Sequence, residues 1–303
     1  MVLCSLCEKE TAHRTYFEHG RDWEYGVPGE FRQEQCTECG LVASVPMPTL
    51  EEILSYYPVS YHGYQSPTSA ITRWLVDRNL RQRAAGYRSL VGRTGAIMDV
   101  GAADGAHFDV WKTEGEWDLV GFEFNDEIAS EARTHGRDIA TATMETFDPK
   151  GRMFDLIIMN HLLEHVQDPL DTVRRAQAML KPGGFIVGEV PNLRSLDRML
   201  FGTYWGGCHW PRHVHQFDPR SIERLFVKAG LEKPRFTYPL HTSHWALSVQ
   251  NALQSTKIFH CVLRNGRAWY YPFLLLAFVP VNFIQKLFGF TGILGFSARK
   301  PLV

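Results

Sequence analysis

Between Ala96 and Gly230 the chain alternates short apolar runs of strand character with segments of helical periodicity, and no other feature limits its fold as strongly. The runs are residues 96–100 (AIMDV), 117–123 (WDLVGFE), 137–142 (RDIATA), 154–160 (FDLIIMN) and 184–190 (GFIVGEV), with helical stretches such as Asp168 to Leu180 between several of them. Strands joined through helices lie parallel, and the helices then cover both faces of one sheet. The run FDPRSIERLFVKAGL predicts a helix with Asp218 as N-cap, Pro219 in its first turn and Gly230 at its stop. Two late runs, PRFTY and GILGFSARK, supply further strands. The expected class is α/β, doubly wound and mostly parallel.

A chain of 303 residues can bury one large core and carry a smaller appendage. With 45% hydrophobic and 21% charged residues it has an ordinary globular composition, and a net charge of -1 gives no overall attraction to nucleic acid. The first ten residues lack the charged and apolar regions of a signal peptide, so the expected compartment is the reducing cytoplasm. There, paired cysteines hold metal more often than they form disulfides. Cys4, Cys7, Cys36 and Cys39 form two C-x2-C pairs, which can wrap a structural Zn2+ in four thiolates; Cys208 and Cys261 stand alone. The 28 residues between Cys7 and Cys36 leave room for a hairpin, as in a zinc ribbon over residues 1–45. Chance pairing is the alternative reading.

Residues 46–70, rich in proline, tyrosine and serine, read as a connector. Ile71 to Val91 predicts a helix bearing Arg73, Arg78, Arg81, Arg83 and Arg88, either a solvated face or a phosphate-binding surface. The segment IMDVGAADGAHF then brings a buried strand to Asp99, followed by a tight turn through Gly101, Ala103 and Gly105 into a helix. Glycine allows a ligand close to the backbone, and ligands sit beyond the carboxyl ends of such strands. About twenty residues on, Glu123 ends the second strand, where an acid can accept hydrogen bonds from both hydroxyls of a ribose. Phe124 follows where an adenine can pack. Alternatively, Glu123 caps the helix that begins near Asn125.

Asp99-x-Gly101-x-Ala103-x-Gly105, Glu123, FDLIIMNHLLEHVQDP and LKPGGFIVGEVPN together resemble class I S-adenosylmethionine-dependent methyltransferases, in order and spacing, from about Ala96 to Gly230. The resemblance implies a seven-stranded Rossmann-like sheet over residues 71–303. It implies that Gly101, Ala103 and Gly105 approach the methionine part of S-adenosylmethionine and that Asp99 orients their loop or binds the amino acid group. Glu123 would hold the ribose, and Phe124 and Thr143-Met144 would flank the adenine. Asn160, with His161 beside it, would face the sulfonium end. Ala103 departs from the glycine that many members carry.

His161-Leu-Leu-Glu164-His165 also reads as the H-x-x-E-H of inverted zinc peptidases, because positions i, i+3 and i+4 share a helix face. A peptidase needs a third ligand helix and an open metal position, and the sequence supplies neither. In the resembled family a LEHV.DP run follows the fourth strand and shapes the cleft on the cofactor side. A divalent ion held by His161, Glu164 and His165 is the alternative there. The cysteine-bearing leader resembles that of bacterial methyltransferases associated with sugars, surface polysaccharides and glycosylated metabolites. The nucleotide-sugar C-methyltransferases among them have a further C-terminal domain that this chain ends too early to contain. The implied reaction is methylation of an oxygen or carbon of a sugar, nucleotide-sugar or lipid-linked glycan.

Residues 204–219 (YWGGCHWPRHVHQFDP) are the expected acceptor wall. An imidazole can take the proton of a hydroxyl acceptor, with His213 the first choice and His209 the second, and Trp205 and Trp210 can face a sugar ring. The bland reading is a packed loop whose histidines hydrogen-bond the backbone. Residues 268–290, within an apolar insertion over about 246–290, are broken by Pro272 and Pro280 and flanked by Arg264, Arg267 and Lys286. They suit a hairpin in a membrane interface near a glycolipid acceptor, and a buried insertion or a homodimer face explains them equally. Two other functions compete: an RNA methyltransferase with an N-terminal zinc module, and a non-catalytic zinc-binding adaptor that keeps the fold.

Overall fold

The computed structural model describes residues 1–57, 70–256, 261 and 263–302; residues 58–69 of the expected connector therefore lie outside the described residues. The chain opens with β1 (Val2–Cys4) and β2 (Lys9–Thr11), an antiparallel pair. β3 (His13–Gly20), β4 (Phe31–Cys36) and β5 (Val42–Ser44) follow as an antiparallel meander. Then come α1 (Leu50–Ser55) and α2 (Ala70–Val91). Thr49 and Glu52 close a full capping box on α1, which fixes where the chain leaves the meander.

The main body runs β6 (Thr94–Val100), α3 (Ala106–Trp111), β7 (Glu116–Glu123), α4 (Asp126–Thr134), β8 (Asp138–Thr141), β9 (Phe154–Asn160), α5 (Pro169–Met179) and β10 (Leu180–Pro191). It continues through α6 (Leu196–Phe201), β11 (His215–Gln216), α7 (Pro219–Lys228), β12 (Arg235–Thr237), α8 (Ser243–Gln254), α9 (Tyr271–Ala277), α10 (Val279–Phe288) and β13 (Ile293–Arg299). Among the described residues the main sheet has seven strands in the order β12-β13-β10-β9-β6-β7-β8. Only β13 is reversed, antiparallel to both β10 and β12. The expected Rossmann-like sheet is present.

That order places the functional crevice. From β6 the chain goes outward to β7 and β8 on one side, then returns to β9 and β10 on the other. The carboxyl ends of β6 and β9 therefore flank a topological switch point, where a sheet of this kind opens a cleft. The helices are set by their caps and apolar faces. Asp168 accepts the Leu170 and Asp171 N–H groups at the head of α5, which buries Leu170, Val173 and Ala176. Asp218 caps α7 in the same way, and Ile222, Leu225 and Phe226 join that core.

The N-terminal strands are not a separate bead. β11, drawn from residues after the fifth parallel strand, pairs with β5 and extends the meander to four strands. Leu6, Cys36 and Leu41 share one apolar cluster with Phe217 and Leu225. Three of the five arginines of α2 pair with the main body, whereas Arg73 and Arg78 are exposed. Arg81 meets Glu114 at 2.7 Å, Arg83 meets Glu189 at 2.6 Å, and Arg88 donates to the Glu114 carbonyl at 3.3 Å. This side of α2 is a packed seam and not a surface laid out for phosphates. The apolar stretch 268–290 forms α9 and α10, two short helices bent by 47° at their junction.

Candidate active site

At the end of β6 the backbone turns sharply. Gly101 has φ +74° and Gly105 has φ +63°, left-handed values that glycine adopts at little cost. A methyl group added at Gly105 would collide with Ile139 at 2.4 Å, so this glycine is fixed by packing. One added at Gly101 would meet only Leu162, at 3.9 Å, which leaves open space above the loop. Ala103 is also left-handed, at φ +48°, and its small side chain tolerates the conformation.

Glu123 clamps this loop to β7. Its Oε2 accepts the Ala103 N–H at 3.2 Å and its Oε1 accepts the Asn125 N–H at 3.1 Å. Burial pushes its carboxyl above the ordinary range, against the pull of those N–H groups. Each oxygen still has a lone pair to offer. The cap of α4 is Asn125 itself, whose side chain accepts from Glu127 and Ile128. Asp99 is bound by the His107 Nε2 at 2.7 Å, which holds α3 against the loop. Phe124 is 40% exposed at the edge of the crevice. The Thr143 N–H donates to the Thr146 hydroxyl oxygen at 2.9 Å, whereas Met144 belongs to the buried core and backs the crevice instead of lining it.

Beyond β9, residues 161–165 form turns and not a helix, so the i, i+3, i+4 geometry never arises. His161 has φ +53°; its N–H donates to the Glu189 carbonyl at 2.8 Å and its Nδ1 meets Glu164 Oε1 at 3.2 Å. His165 points elsewhere, with Nδ1 2.8 Å from the Tyr57 hydroxyl and 3.0 Å from the Arg212 carbonyl. Its ring lies 4.6 Å from that of His213. The trio that converges is Glu164, His165 and His213, with ligand atoms within 4.8 Å of one another, in place of His161, Glu164 and His165. Asn160 ends β9 beside this turn.

The two candidate bases differ. His213 Nδ1 donates to the Gly207 carbonyl at 2.8 Å, which fixes the tautomer that leaves a lone pair on Nε2. Burial, reinforced by His165 and His209, holds its pKa well below the usual imidazole value. His209 has both nitrogens committed, Nδ1 to Glu24 at 2.8 Å and Nε2 to the Arg212 Nε–H at 3.1 Å. It cannot take a proton without breaking that network, so it is a structural residue.

Most of the expected acceptor wall packs as an interface, with His213, at 7% exposure, the residue of it that meets His165 beside the crevice. Residues 205–217 are buried throughout. Trp205 donates its indole N–H to Asp197 at 2.8 Å, and Trp210 donates to the Thr203 carbonyl while stacking on Phe31. Neither indole is available to a sugar. Among the described residues, Tyr57 brings an aromatic ring to the crevice, 6.4 Å from Phe124 and with its hydroxyl on His165. Sequence reasoning passed over Tyr57 as part of a connector, and the only signal was the clustering of tyrosines there. It also missed Arg212, which is fully buried. Arg212 donates to both Asp22 oxygens at 3.0 and 3.1 Å, to the Tyr56 and Trp210 carbonyls, and to His209.

At the chain's start, the Cys4 and Cys39 sulfurs are 3.5 Å apart, the Cys7 and Cys36 sulfurs 3.8 Å, and all four lie within 4.8 Å of one another.

Comparison with known proteins adds the family. The model described as a methyltransferase domain matches residues 75–233, just over half of the chain. Among curated relatives, the ubiquinone biosynthesis O-methyltransferase of Cereibacter sphaeroides is 27% identical over 148 residues, covering 45% of this chain and 60% of that protein. Its namesake in Ruegeria pomeroyi is 24% identical over 207 residues, covering 62% and 83%. The chain thus spans less than two thirds of the length of the first of these. A crystal structure of a SAM dependent methyltransferase from Archaeoglobus fulgidus aligns over 74% of this chain and 94% of that one, with 13% identity and a TM-score of 0.49.

The Arg212 network gives a direct test of stability. Asp22 and Arg212 side chains are 1% and 0% exposed, and deleting one partner strands a buried charge. Asp22→Ala should cost about 3–5 kcal/mol in chemical denaturation. Lys233→Ala, which removes the exposed Lys233–Glu223 pair, should leave the denaturation midpoint unchanged.

Proposed function

This chain belongs to the methyltransferase domain family, and from that premise we propose that it transfers the methyl group of S-adenosylmethionine to a hydroxyl oxygen of a small sugar-bearing or lipid-linked glycan acceptor. The observation that carries the cofactor assignment is the Glu123 clamp. A carboxylate with one backbone N–H on each oxygen keeps a lone pair on each for a ribose diol, beside a glycine loop with open space above Gly101. These residues fit the cofactor. Gly101, Ala103 and Gly105 would receive its methionine part, with Asp99 orienting the loop. Phe124 and Thr143 would flank the adenine, and Asn160 and His161 would lie toward the sulfonium. When bound, the cofactor supplies an electrophilic methyl group.

The chain's own contribution is to position the acceptor and take its proton. His213 suits the second task, because its Nδ1–H is tied to Gly207 and its Nε2 carries the lone pair. A neutral imidazole accepts the hydroxyl proton as the new C–O bond forms. Tyr57 and His165 border the same space and would orient the acceptor. An acceptor oxygen of a quinone-related compound is the second reading, because the curated relatives are named for O-methylation in ubiquinone biosynthesis, and it would use the same base. RNA is disfavoured by the pairing of Arg81, Arg83 and Arg88 with groups of the main body. A non-catalytic adaptor would have no need of the Glu123 clamp.

Calorimetry should detect S-adenosylmethionine binding to the wild type and a clear loss of affinity in Glu123→Ala. Unchanged affinity in the variant would remove the clamp from the cofactor site. Mass spectrometry of extracts from cells with and without the gene should then reveal a metabolite one methyl heavier when it is present.

His213→Ala should lower kcat by a factor of about 10^2 to 10^4 while cofactor affinity holds. The depressed pKa sets the pH profile. His213 stays neutral as pH falls through the ordinary imidazole range, so the wild-type rate should stay level near pH 6.5 and decline only well below it. That acid limb should be missing from the variant. A residue that merely orients the acceptor would raise KM instead.

The four cysteines would hold a structural Zn2+. Four sulfurs about 2.3 Å from a common centre are about 3.8 Å apart, close to the spacings between Cys4 and Cys39 and between Cys7 and Cys36. Elemental analysis should find one zinc per chain in the wild type and none in Cys36→Ser, with a lower melting temperature in the variant.

A further inference from the structure

Helix α10 has its polarity reversed. Its buried side chains are two amides, Asn282 and Gln285. Asn282 Oδ1 accepts the His241 N–H at 2.8 Å, and Gln285 Oε1 accepts the Trp245 indole N–H at 2.8 Å. The apolar side chains point outward: Val279, Phe283, Ile284, Leu287 and Phe288 are between 49% and 70% exposed. Helix α9 continues the surface with Phe273 and Leu276, at 66% and 73%, and Trp269 stands at 76% just before it. Helix α6 adjoins at the other end, where the Leu196 N–H donates to the Phe290 carbonyl and Met199 and Leu200 are more than half exposed. A helix facing water carries the opposite pattern. A patch of this extent implies an apolar occupant.

The surrounding charge selects that occupant. Residues 233–303 contain eight lysines and arginines and no aspartate or glutamate, a formal charge of +8 in a chain whose total is -1, of which Lys233 and Arg267 pair with Glu223 and Glu24 outside the segment. Lys286 projects from α10 itself, and Arg264 and Arg194 are exposed at the two ends of the patch. Trp269 and Tyr270 sit at its edge, as aromatic residues do at the headgroup level of a bilayer. Among the described residues no single helix is long and apolar enough to cross a membrane; α9 and α10 reach that length and composition only together, across their 47° bend. At 7 and 10 residues, α9 and α10 extend about 10 and 15 Å, so they suit the plane of the interface. We propose that this face docks on an anionic lipid bilayer, with α9 and α10 lying at the headgroup boundary and Lys286 on the acidic lipids. A second copy of the chain is the poorer occupant, because self-apposition would bring two acid-free, cationic segments together. The inference goes beyond the methyl-transfer reading and does not depend on it.

Vesicle co-sedimentation of the full chain tests it without any assay of activity. The protein should pellet with phosphatidylcholine vesicles containing phosphatidylglycerol, more weakly with phosphatidylcholine alone, and less at high salt. The double variant Leu276→Asp, Leu287→Asp should bind at least about tenfold more weakly, since each leucine contributes transfer free energy of that order. Both positions are at least 70% exposed, so its melting temperature should match the wild type. Lys286→Gln should weaken binding to the acidic vesicles by about fivefold and leave binding to neutral ones unchanged. Equal pelleting of the wild type and the double variant would overturn the proposal. So would a wild type that ignores vesicles and is dimeric by light scattering while the double variant is monomeric, which would assign the face to a second copy.

Discussion

The buried guanidinium of Arg212 organises the molecule. Its five N–H donors match the five contacts made by Nε, Nη1 and Nη2, two of them to the carboxylate of Asp22. A charge with no exposed surface survives only when every donor is partnered. The partners come from the hairpin of the N-terminal module, from the end of α1, and from the loop before β11. Glu24 enlarges the set by binding His209 on one oxygen and Arg267, from the segment before α9, on the other. Removing any contributor leaves another polar group orphaned in the interior. Remote parts of the chain must therefore fold as one unit, with the cysteine-bearing module built into it.

This network reaches the chemistry through Tyr56. Because Arg212 holds the Tyr56 carbonyl, the next residue, Tyr57, is delivered to the crevice between Phe124 and His165. The Arg212 carbonyl meets His165, whose ring packs against His213. One side chain thus orients the aromatic edge of the cofactor crevice and the histidines opposite it. The Glu123 clamp does the corresponding work at the glycine loop. The crevice lies between two preorganised anchors, one anionic and one cationic, each saturated by neighbours in sequence-distant elements.

Much of the main sheet was legible, because strand and helix periods are local signals. The runs ending at Val100, Glu123 and Asn160 became β6, β7 and β9, and Asp168, Asp218 and Gly230 mark real helix ends. The glycine loop was legible for the same reason, since glycine at 101 and 105 permits the φ above zero that the turn requires. What was hidden depends on distant contacts. Nothing in YWGGCHWPRHVHQFDP announces that Trp205 and Trp210 face inward or that β11 will pair with β5. HLLEH, whose peptidase reading the sequence already rejects, forms no helix because Pro169 and the Asp168 cap start α5 only after it, and the preceding residues are spent on turns. His209, the second choice as base after His213, is removed from that role by Glu24, 185 residues away, which claims one of its nitrogens.

The reversed polarity of α10 follows from what lies beneath it. Asp197 is fully buried, and burial pushes its carboxyl above the usual range. It needs donors from every element packed on it. The Trp205 indole supplies one at 2.8 Å and the Gln285 amide another at 3.4 Å. Gln285 must then accept elsewhere, from Trp245, and Asn282 satisfies the backbone at His241. An apolar inner face on α10 would leave Asp197 and these groups short of partners, a cost of about 1–3 kcal/mol for each one orphaned. The amides inside are thus explained by the protein alone. The phenylalanines and leucines outside have no such internal reason, because a soluble helix satisfied on its inner face is free to carry polar residues toward water. Their presence beside an acid-free stretch of chain is a constraint imposed from outside the fold. The same Asp197 that fixes the inner face also accepts the Trp205 indole N–H, so one buried carboxylate ties α10 to the start of the loop that carries His209, Arg212 and His213.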